Sequence, residues 1–188
     1  MEDDFSQWKE LSSGLMTTER SMLVYNSSIA KKIAKNFPHN VNLLEFGAGI
    51  GTLATLFKTI KGIKPKCLEI DPSLKHILVD RGFKCYDNIQ QIDELFDGVY
   101  TSNVLEHIED DVDALQKIRS VMKPQSNLVV YVPAFQCLYS SWDNSVGHHR
   151  RYNKKELLFK LDVAGFDVTK VIYVDTLGFF ASFAARIF

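Results

Sequence analysis

The sequence has 188 residues, of which 46% are hydrophobic and 24% are charged, a composition typical of one compact globular domain. Disordered, collagen-like and coiled-coil chains are thereby excluded. The 22 Lys and Arg residues nearly balance the 23 Asp and Glu residues, so no nucleic-acid partner is expected. The apolar stretches are too short to span a bilayer, and the acidic residues 1–10 are unlike a signal peptide. We therefore expect a cytoplasmic protein.

The order of apolar and amphipathic segments predicts the fold class. Residues 1–38 precede the first apolar run and are predicted to form a helical cap, because apolar residues between positions 29 and 37 follow helical spacing. From residue 41 onward, short apolar runs alternate with amphipathic stretches, which is typical of a parallel sheet with helices on both faces. The fold class is therefore α/β and doubly wound. The predicted strands are 41–46, 66–70, 83–86, 98–102, 127–132 and 167–174.

Helices are predicted between these strands. Apolar residues recur at helical spacing at Leu53, Leu56, Phe57 and Ile60, and again at Val112, Leu115, Ile118 and Met122. A later helix is predicted to begin after Asn153, which resembles a capping box with Glu156, and to end at Gly165. Residues 133–152 show no clear periodicity and are predicted to form a loop over the carboxyl edge of the sheet, where ligands of such sheets bind.

A glycine-rich turn follows the first predicted strand, with glycine at positions 47, 49 and 51. Such a turn lets a ligand lie against bare backbone. A dinucleotide site would place its third glycine at position 52, where this chain has Thr52. Glu45 would repel a pyrophosphate and attract an ammonium or sulfonium group. The turn therefore predicts a cationic ligand that carries an amino acid.

A second acidic position follows the second predicted strand. About 20 residues after the glycine turn, Asp71 lies where an acid can accept both hydrogen bonds from a ribose diol. The alternative is that Asp71 caps a helix over residues 73–81. The two roles are compatible.

These segments together resemble the class I S-adenosylmethionine-dependent methyltransferases, in the group that includes ubiquinone-biosynthesis O-methyltransferases. The resemblance rests on LLEFGAGIGTLA (43–54), LEIDPS (68–73), FDGVYTSNVLEHIEDDVDAL (96–115) and LVVYVPA (128–134), in the family's order. It implies that residues 1–188 form a single methyltransferase domain with a Rossmann-like fold, S-adenosylmethionine as cofactor and methyl transfer as activity. The cofactor-binding residues that it implies are Glu45 for the methionine ammonium, Gly47, Ala48, Gly49 and Gly51 for the methionine portion, Asp71 for the ribose, Asp87 beside the adenine and Asn103 at the methionine end.

Residues 143–152 resemble a DxxxGHxRRY signature of bacterial methyltransferases that are linked to glycan and lipid modification. Arg150 and Arg151 could bind a phosphate or carboxylate of the acceptor, and Tyr152 completes the predicted substrate-binding set. The alternative is that the arginines pair with the acidic run 109–113. His107 and His148 are candidate general bases, because an imidazole can accept a proton at neutral pH. The predicted acceptor is a small molecule, a glycan or a lipid-linked compound that is methylated at oxygen.

The stretch from Asn103 to His107 also resembles an ExxEH element that some ubiquinone-type and small-RNA methyltransferases use, with a further histidine, to hold a divalent ion. Here Asn103 replaces the first acid, and the loss of a carboxylate weakens a Mg²⁺ site. The sequence therefore predicts no metal and a structural role for Glu106 and His107.

Two other functions remain open from the sequence. A nicotinamide-dependent oxidoreductase has a similar fold, although Thr52 and Glu45 argue against it. A catalytically silent module that binds the cofactor and supports a partner is also compatible with these residues.

The last residues predict an unusual end to the sheet. Residues 177–185 have the pattern of a helix, so the final strand that is usual in the resembled family is expected to be missing. An exposed sheet edge beside Phe179, Phe180 and Phe183 favours association. We therefore expect either that the sequence is part of a longer protein, or that a homodimer or a membrane surface covers the apolar tail.

Overall fold

A computed structural model describes residues 14–17 and 19–174. Helices and strands alternate along the chain, which confirms the α/β class. The α-helices are α1 Leu23–Ala34, α2 Thr52–Lys61, α3 Pro72–Asp80, α4 Asp111–Ser120, α5 Ser141–Ser145 and α6 Lys154–Val163. The strands are β1 Leu43–Phe46, β2 Lys66–Leu68, β3 Cys85–Tyr86, β4 Phe96–Ser102 and β5 Met122–Tyr131. None of the helices in this described part has the length and apolar character needed to cross a membrane.

The chain forms two compact units. The first contains the described residues up to Thr101 together with Val121–Val130, and the second contains Ser102–Ser120 and the described residues from Tyr131 onward. The first unit holds nearly all of the sheet, and the second holds α4, α5 and α6. The single-domain interpretation of residues 1–188 stays a prediction.

The strand order of the sheet places a ligand-binding edge at β1. The order is β3-β2-β1-β4-β5, and β1 pairs in parallel with both β2 and β4. The chain therefore winds outward in opposite directions from β1 and β4. In such sheets ligands bind beyond the carboxyl ends of the strands at this switch point. The glycine turn begins there, directly after Phe46.

The apolar pattern of the first helix is confirmed. α1 buries Ile29, Ala30, Ile33 and Ala34. The ring of Phe37, directly beyond this helix, lies 6.3 Å from that of Tyr100 in β4, and the Tyr100 ring stacks on Phe57 of α2 at a centroid distance of 4.4 Å. Stacked aromatic rings of this kind stabilise a core beyond the area that they bury. Phe37 therefore joins the end of α1 to the core beside β4 and α2, whereas the helical cap over residues 1–38 stays a prediction.

The predicted strand over residues 167–174 is wrong, because these residues have no regular structure and pair with no strand in the described part of the chain. Ile172 and Tyr173 are 61% and 50% exposed, so the segment lacks the two-sided burial of an interior strand. Tyr173 instead stacks on Phe135 and accepts a hydrogen bond from the backbone N–H of Lys154. Apolar content alone does not distinguish an irregular segment of this kind from a strand.

Most strand boundaries differ from the prediction by one or two residues, and two regions differ more. Met122 begins β5 rather than ending α4, which stops at Ser120, so the strand is longer at its start than the predicted 127–132. Residues 133–152 contain a short 3-10 helix, Gln136–Leu138, and α5, so they are not a structureless loop. The N-cap of α6 at Asn153 is confirmed, whereas its C-cap is Ala164 rather than Gly165, which follows with φ of +84°. Three predictions fall wholly or partly outside the described residues. They are the tail helix over residues 177–185, the missing last strand, and the part of the N-terminal cap before α1.

Glu94 provides a pH-dependent contribution to stability. Its carboxylate accepts hydrogen bonds from Lys66, from the Tyr86 hydroxyl at 2.7 Å and from the Asn42 amide at 2.9 Å. These contacts, led by that of Lys66, lower the pKa of Glu94 from 4.5 to about 2. Because the folded-state pKa is lowered, the stabilisation is complete above the unfolded pKa and is lost as the pH falls towards 2.

We expect Glu94→Gln to lower the free energy of unfolding at pH 7 by about 1–2 kcal/mol, since the group is partly exposed and screened. The difference should shrink below pH 4.5 and become small only near pH 2, where the folded-state carboxyl is itself about half protonated. Urea denaturation at the two pH values measures both differences. An equal loss at both would show that the charge of Glu94 contributes nothing.

Candidate active site

The glycine turn is fixed to the sheet but leaves open space at its centre. The backbone N–H groups of Gly47 and Ala48 both donate to the carbonyl of Leu68 in β2, at 2.9 and 3.1 Å. A Cβ on Gly51 would lie 2.6 Å from a methyl group of Leu78, so the protein packs closely against the turn at this end. A Cβ on Gly49, where φ is +56°, would meet no protein atom within 4 Å. The turn therefore has a packed end at Gly51 and an open position at Gly49.

Glu69 supports this open position and is a residue that the sequence analysis missed. Its Oε2 accepts a hydrogen bond from the backbone N–H of Gly49 at 2.7 Å, and its Oε1 accepts one from Asp71 at 3.0 Å. The residue is 8% exposed, and burial raises its pKa. The signal that could have found it is its place directly after a buried strand, at the edge where ligands bind.

Asp71 has the capping role that the sequence left as the alternative. Its Oδ1 accepts hydrogen bonds from the backbone N–H and hydroxyl of Ser73, at 2.8 and 2.7 Å, and a longer one from Leu74 at 3.4 Å. With Pro72 at the first helical position, this is a strong start for α3. All three of these capping contacts use Oδ1 of the carboxylate.

Two side chains near these acids have properties that suit a nucleoside base. Ile70, between Glu69 and Asp71, is 75% exposed and offers an apolar surface. Asp87 follows β3 and pairs through Oδ2 with Lys75 at 2.6 Å, which lowers the pKa of Asp87. Its Oδ1 is buried and has no hydrogen-bond partner among the described residues. An unpaired buried acceptor can receive a ligand N–H.

Glu45 lies in the core rather than on an open surface. It is 4% exposed, and its Oε2 accepts a hydrogen bond from the Tyr100 hydroxyl at 2.9 Å. Burial raises the pKa of Glu45 to about 8. Its role toward the cofactor stays a prediction.

In the second unit, a buried carboxyl group lies without a partner. Asn103 follows β4 with φ of +53°, and the chain then forms a short 3-10 helix, Leu105–His107. Glu106 in this helix is 0% exposed, and neither of its carboxyl oxygens has a hydrogen-bond partner within the described structure. Burial raises the pKa of Glu106 to about 7.

The structure brings the two predicted histidines together beside Glu106. The rings of His107 and His148 are edge to face with centroids 4.6 Å apart, and Nε2 of His148 lies 4.0 Å from Oε1 of Glu106. Nδ1 of His148 lies 2.8 Å from Oδ1 of Asp143, which is fully buried. We call Glu106, His107 and His148 the histidine cluster. One potential metal-ligating atom from each member lies within 4.8 Å of the others.

Asp143 orients His148 and was missed as a functional residue. Burial raises the pKa of Asp143, but hydrogen bonds from Arg151 and His148 outweigh this and lower it to about 2. The ionised carboxylate accepts a hydrogen bond from Nδ1 of His148, so the lone pair of the neutral ring is on Nε2. The available signal was the Asp143 position at the start of the DxxxGH pattern.

The predicted substrate-binding residues are bonded within the second unit. Arg151 Nε donates to Asp143 at 2.7 Å, and Arg150 pairs with Asp111 at 2.8 Å. Tyr152 is 2% exposed, and its hydroxyl donates to Asp111 at 2.7 Å. Arg150 thus makes the contact with the acidic run that the sequence left as the alternative.

Asp111 links Arg150 and Tyr152 to Lys160 of α6. It is 2% exposed and accepts hydrogen bonds from Tyr152 and Lys160 in addition to Arg150. Burial raises the pKa of Asp111, but the bonds from Lys160, Tyr152 and Arg150 lower it below its usual value. Removing one member of such a buried set leaves uncompensated charges.

We expect Asp111→Asn to lower the free energy of unfolding by about 3 kcal/mol, because two cations lose their counter-charge in a buried site. Asp113→Asn is the matched control, since Asp113 pairs with Lys117 on the exposed face of the same helix. That change should cost less than about 1 kcal/mol. Urea denaturation of both variants tests the difference, and equal losses would contradict it.

The comparisons with known proteins agree with this architecture. A family model described as "Methyltransferase domain" matches residues 19–171. None of the curated proteins compared with the chain matches it. A chain in a complex between the Haloferax volcanii Trm112 methyltransferase activator and its methyltransferase partner is similar, at 15% identity and a TM-score of 0.71, over 87% of this chain and 77% of that one.

Two other solved structures have the same fold. A SAM-dependent methyltransferase from Archaeoglobus fulgidus is 21% identical, with a TM-score of 0.67, over 86% of this chain and 83% of that one. The glycopeptide N-methyltransferase MtfA is 18% identical, with a TM-score of 0.63, over 77% of this chain and 81% of that one. The sheet with its glycine turn thus has the Rossmann-like methyltransferase fold.

The resemblance to class I methyltransferases is confirmed at the level of the family, whereas the ubiquinone-biosynthesis subtype is not. S-adenosylmethionine is the cofactor of this family, as the sequence predicted. The chain belongs to the methyltransferase domain family and is an S-adenosylmethionine-dependent methyltransferase.

Proposed function

We propose that the protein transfers a methyl group from S-adenosylmethionine to a hydroxyl oxygen of a small-molecule, glycan or lipid-linked acceptor. The observation that carries the choice of oxygen is the His148–Asp143 contact at 2.8 Å. It leaves Nε2 of a neutral imidazole available to accept a proton. A hydroxyl nucleophile needs such a base, whereas a neutral amine does not.

For the donor, we propose that Glu69 accepts the ribose hydroxyls. The sequence interpretation gave this role to Asp71, but Asp71 Oδ1 caps α3, whereas Glu69 is bonded to the glycine turn itself. Each oxygen of Glu69 receives one backbone N–H and retains capacity for another donor. The two carboxylate oxygens suit the two neighbouring hydroxyls of a ribose.

For the adenine, we propose Ile70 as the apolar contact and Asp87 as the polar one. Ile70 is exposed directly beside Glu69, and Asp87 Oδ1 is buried without a partner in the described structure. An exocyclic amino group would supply the missing hydrogen-bond donor. Contacts of Glu45, Gly47, Ala48, Gly51 and Asn103 with the methionine portion stay predictions.

The chemical step needs little beyond alignment and proton removal. The acceptor oxygen attacks the methyl carbon, a C–O bond forms as the C–S bond breaks, and the electron pair of that bond stays on sulfur. The hydroxyl proton passes to an imidazole, for which His148 is favoured over His107 because Asp143 fixes its orientation. In-line positioning of oxygen, methyl and sulfur supplies much of the remaining rate.

For the arginines, the contacts favour positioning over direct binding of an anionic acceptor. Arg151 holds Asp143, and Asp143 in turn orients His148. Arg150 and Tyr152 hold Asp111. A homodimer and a membrane-surface contact stay predictions, since they rest on residues 175–188.

The proposal is tested with deuteromethyl-labelled S-adenosylmethionine and paired acceptors that differ only in a hydroxyl or an amino group. We expect labelled ether products. His148→Gln should lower kcat by about 10²–10⁴-fold with unchanged affinity for S-adenosylhomocysteine, and the exposed neighbour His149→Gln should not. Labelled amine products alone would contradict the proposed oxygen acceptor.

A further inference from the structure

We propose that the acceptor presents a pyranose-type sugar ring, which stacks on Trp142 and donates hydrogen bonds to both His148 and Glu106. This inference rests on the proposed function, because it takes His148 as the base that receives the proton of the methylated hydroxyl. It narrows the acceptor from any small molecule, glycan or lipid-linked compound to one that carries such a ring.

Trp142 is an exposed aromatic side chain directly beside the proposed base. It lies in α5 and is 60% exposed. Its ring is edge to face with that of His148, with centroids 5.6 Å apart. Tryptophan is enriched among the residues that dominate binding energy, because its rigid ring offers a large contact area at a small entropic cost. A ring that stacks on Trp142 therefore has its substituents within reach of His148.

One carboxylate fixes both the helix of Trp142 and the ring of His148. Asp143 Oδ2 accepts hydrogen bonds from the backbone N–H and the hydroxyl of Ser140, at 2.9 and 3.2 Å, at the start of α5. Oδ1 of the same carboxylate lies 2.8 Å from Nδ1 of His148. The aromatic surface and the base are therefore held at a fixed separation, which is what alignment of a reacting hydroxyl requires.

Glu106 offers oxygen acceptors for a second hydroxyl group. It is 0% exposed, and both of its carboxyl oxygens are buried without hydrogen-bond partners in the described part of the chain. Its Oε1 lies 4.0 Å from Nε2 of His148, so a hydroxyl that reaches Nε2 comes close to this carboxyl group. A buried acceptor without a partner is costly. The neighbouring hydroxyl of a sugar ring would supply the missing donor.

The ring of His107 is the part of the histidine cluster that moves to admit the acceptor. His107 is exposed, whereas Glu106 is buried and His148 is held by Asp143. The His107 ring lies 4.6 Å from that of His148. Exposed side chains change rotamer within nanoseconds, so this movement needs no change in the fold.

These contacts together favour a sugar ring over other hydroxyl compounds. The weakly positive C–H groups on one face of a pyranose are attracted to the negative face of the indole ring. A compound with a single hydroxyl group would leave Glu106 without a donor. A flat aromatic diol can stack on Trp142, but its hydroxyls lie in one plane. The hydroxyls of a saturated ring project to both sides and can reach acceptors at different depths.

Binding is measured with S-adenosylhomocysteine present, so the result does not depend on methyl transfer. The probes are the methyl pyranosides of glucose, galactose, mannose and xylose, with catechol as the flat diol and cyclohexanol as the single-hydroxyl ring. Saturation-transfer NMR detects weak binding and identifies the ligand protons in contact with the protein. We expect at least one pyranoside to bind at least about tenfold more tightly than catechol and cyclohexanol, through the protons of one ring face.

Trp142→Ala should weaken binding of this pyranoside at least about fivefold, and Trp142→Phe should restore part of the loss. Phe159→Ala is the matched control, because Phe159 is an exposed aromatic residue of α6 in the same unit and should not affect binding. Glu106→Gln should weaken binding about tenfold. Among the 2-deoxy, 3-deoxy and 4-deoxy forms of the pyranoside, the one that lacks the hydroxyl facing Glu106 should bind equally to this variant and to the wild type.

The proposal would be overturned if no pyranoside binds, or if Trp142→Ala or Glu106→Gln leaves the affinity unchanged. Tighter binding of catechol would also overturn it and would assign an aromatic acceptor. The proposed function fails separately. A pyranoside that binds in this way but is not methylated would contradict oxygen methylation and leave the sugar site standing, whereas methylation of a hydroxyl on a compound without a sugar ring would do the reverse.

Discussion

Gly49→Val is expected to lower the affinity for S-adenosylhomocysteine at least about 100-fold, which corresponds to about 2.7 kcal/mol. A Cβ at this position meets no protein atom within 4 Å, so the two methyl groups would enter space that we assign to the cofactor. The positive φ of +56° adds strain of about 1–2 kcal/mol, which a folded domain can tolerate. Isothermal titration calorimetry measures the affinity, and thermal denaturation confirms that the variant is folded.

Gly62→Val is the matched control for this prediction. Gly62 is the C-cap of α2, the helix that follows the glycine turn, and its φ is +69°. A Cβ at Gly62 also meets no atom within 4 Å. The backbone strain is therefore similar, but the whole length of α2 separates Gly62 from the glycine turn. We expect its affinity to stay within about twofold of the wild type. If both valine variants lose affinity equally, backbone strain rather than occupied ligand space explains the effect.

Glu69→Gln is expected to weaken binding of S-adenosylhomocysteine by about 10–100-fold, since a hydrogen bond to a charged group contributes about 1.5–3 kcal/mol. The amide also presents an N–H where the carboxylate accepts the backbone N–H of Gly49 or Asp71. Both effects act on the same turn. Calorimetry with S-adenosylhomocysteine and with its analogue that lacks the ribose hydroxyls separates the two effects. The lost hydrogen bond to the ribose disappears with the analogue, whereas the disturbed contact with the backbone N–H groups remains.

Asp71→Ser is the companion variant, because serine can still cap α3 while the carboxylate is removed. If Glu69 is the ribose acceptor, this change should weaken S-adenosylhomocysteine binding by less than about threefold. A large loss in Asp71→Ser with little loss in Glu69→Gln would assign the ribose to Asp71, as the sequence analysis predicted.

The sheet and the glycine turn could be predicted because their signals are local. Three glycines directly after an apolar run require a turn, and the acids after the next strand lie at the same edge by the geometry of parallel strands. Spacing alone does not decide between Glu69 and Asp71. That choice depends on which carboxylate contacts the Gly49 N–H, a contact between residues 20 positions apart.

The acceptor side was less predictable because its contacts are more distant along the chain. Arg150 and Tyr152 have the composition of an anion site, but they bind Asp111, about 40 residues earlier. His107 and His148 were found from residue type alone, whereas Asp143 and the buried state of Glu106 depend on how the segment after β5 folds back. The strand predicted at 167–174 failed for the same reason, since a strand requires a partner that its own sequence does not specify.

A crystal structure of the protein with S-adenosylhomocysteine tests the central claim most directly. The account predicts the methionine portion against the backbone at Gly49, both ribose hydroxyls on the Glu69 carboxylate, and the adenine between Ile70 and Oδ1 of Asp87. A nucleoside bound away from the glycine turn, with the space beside Gly49 empty, would contradict it.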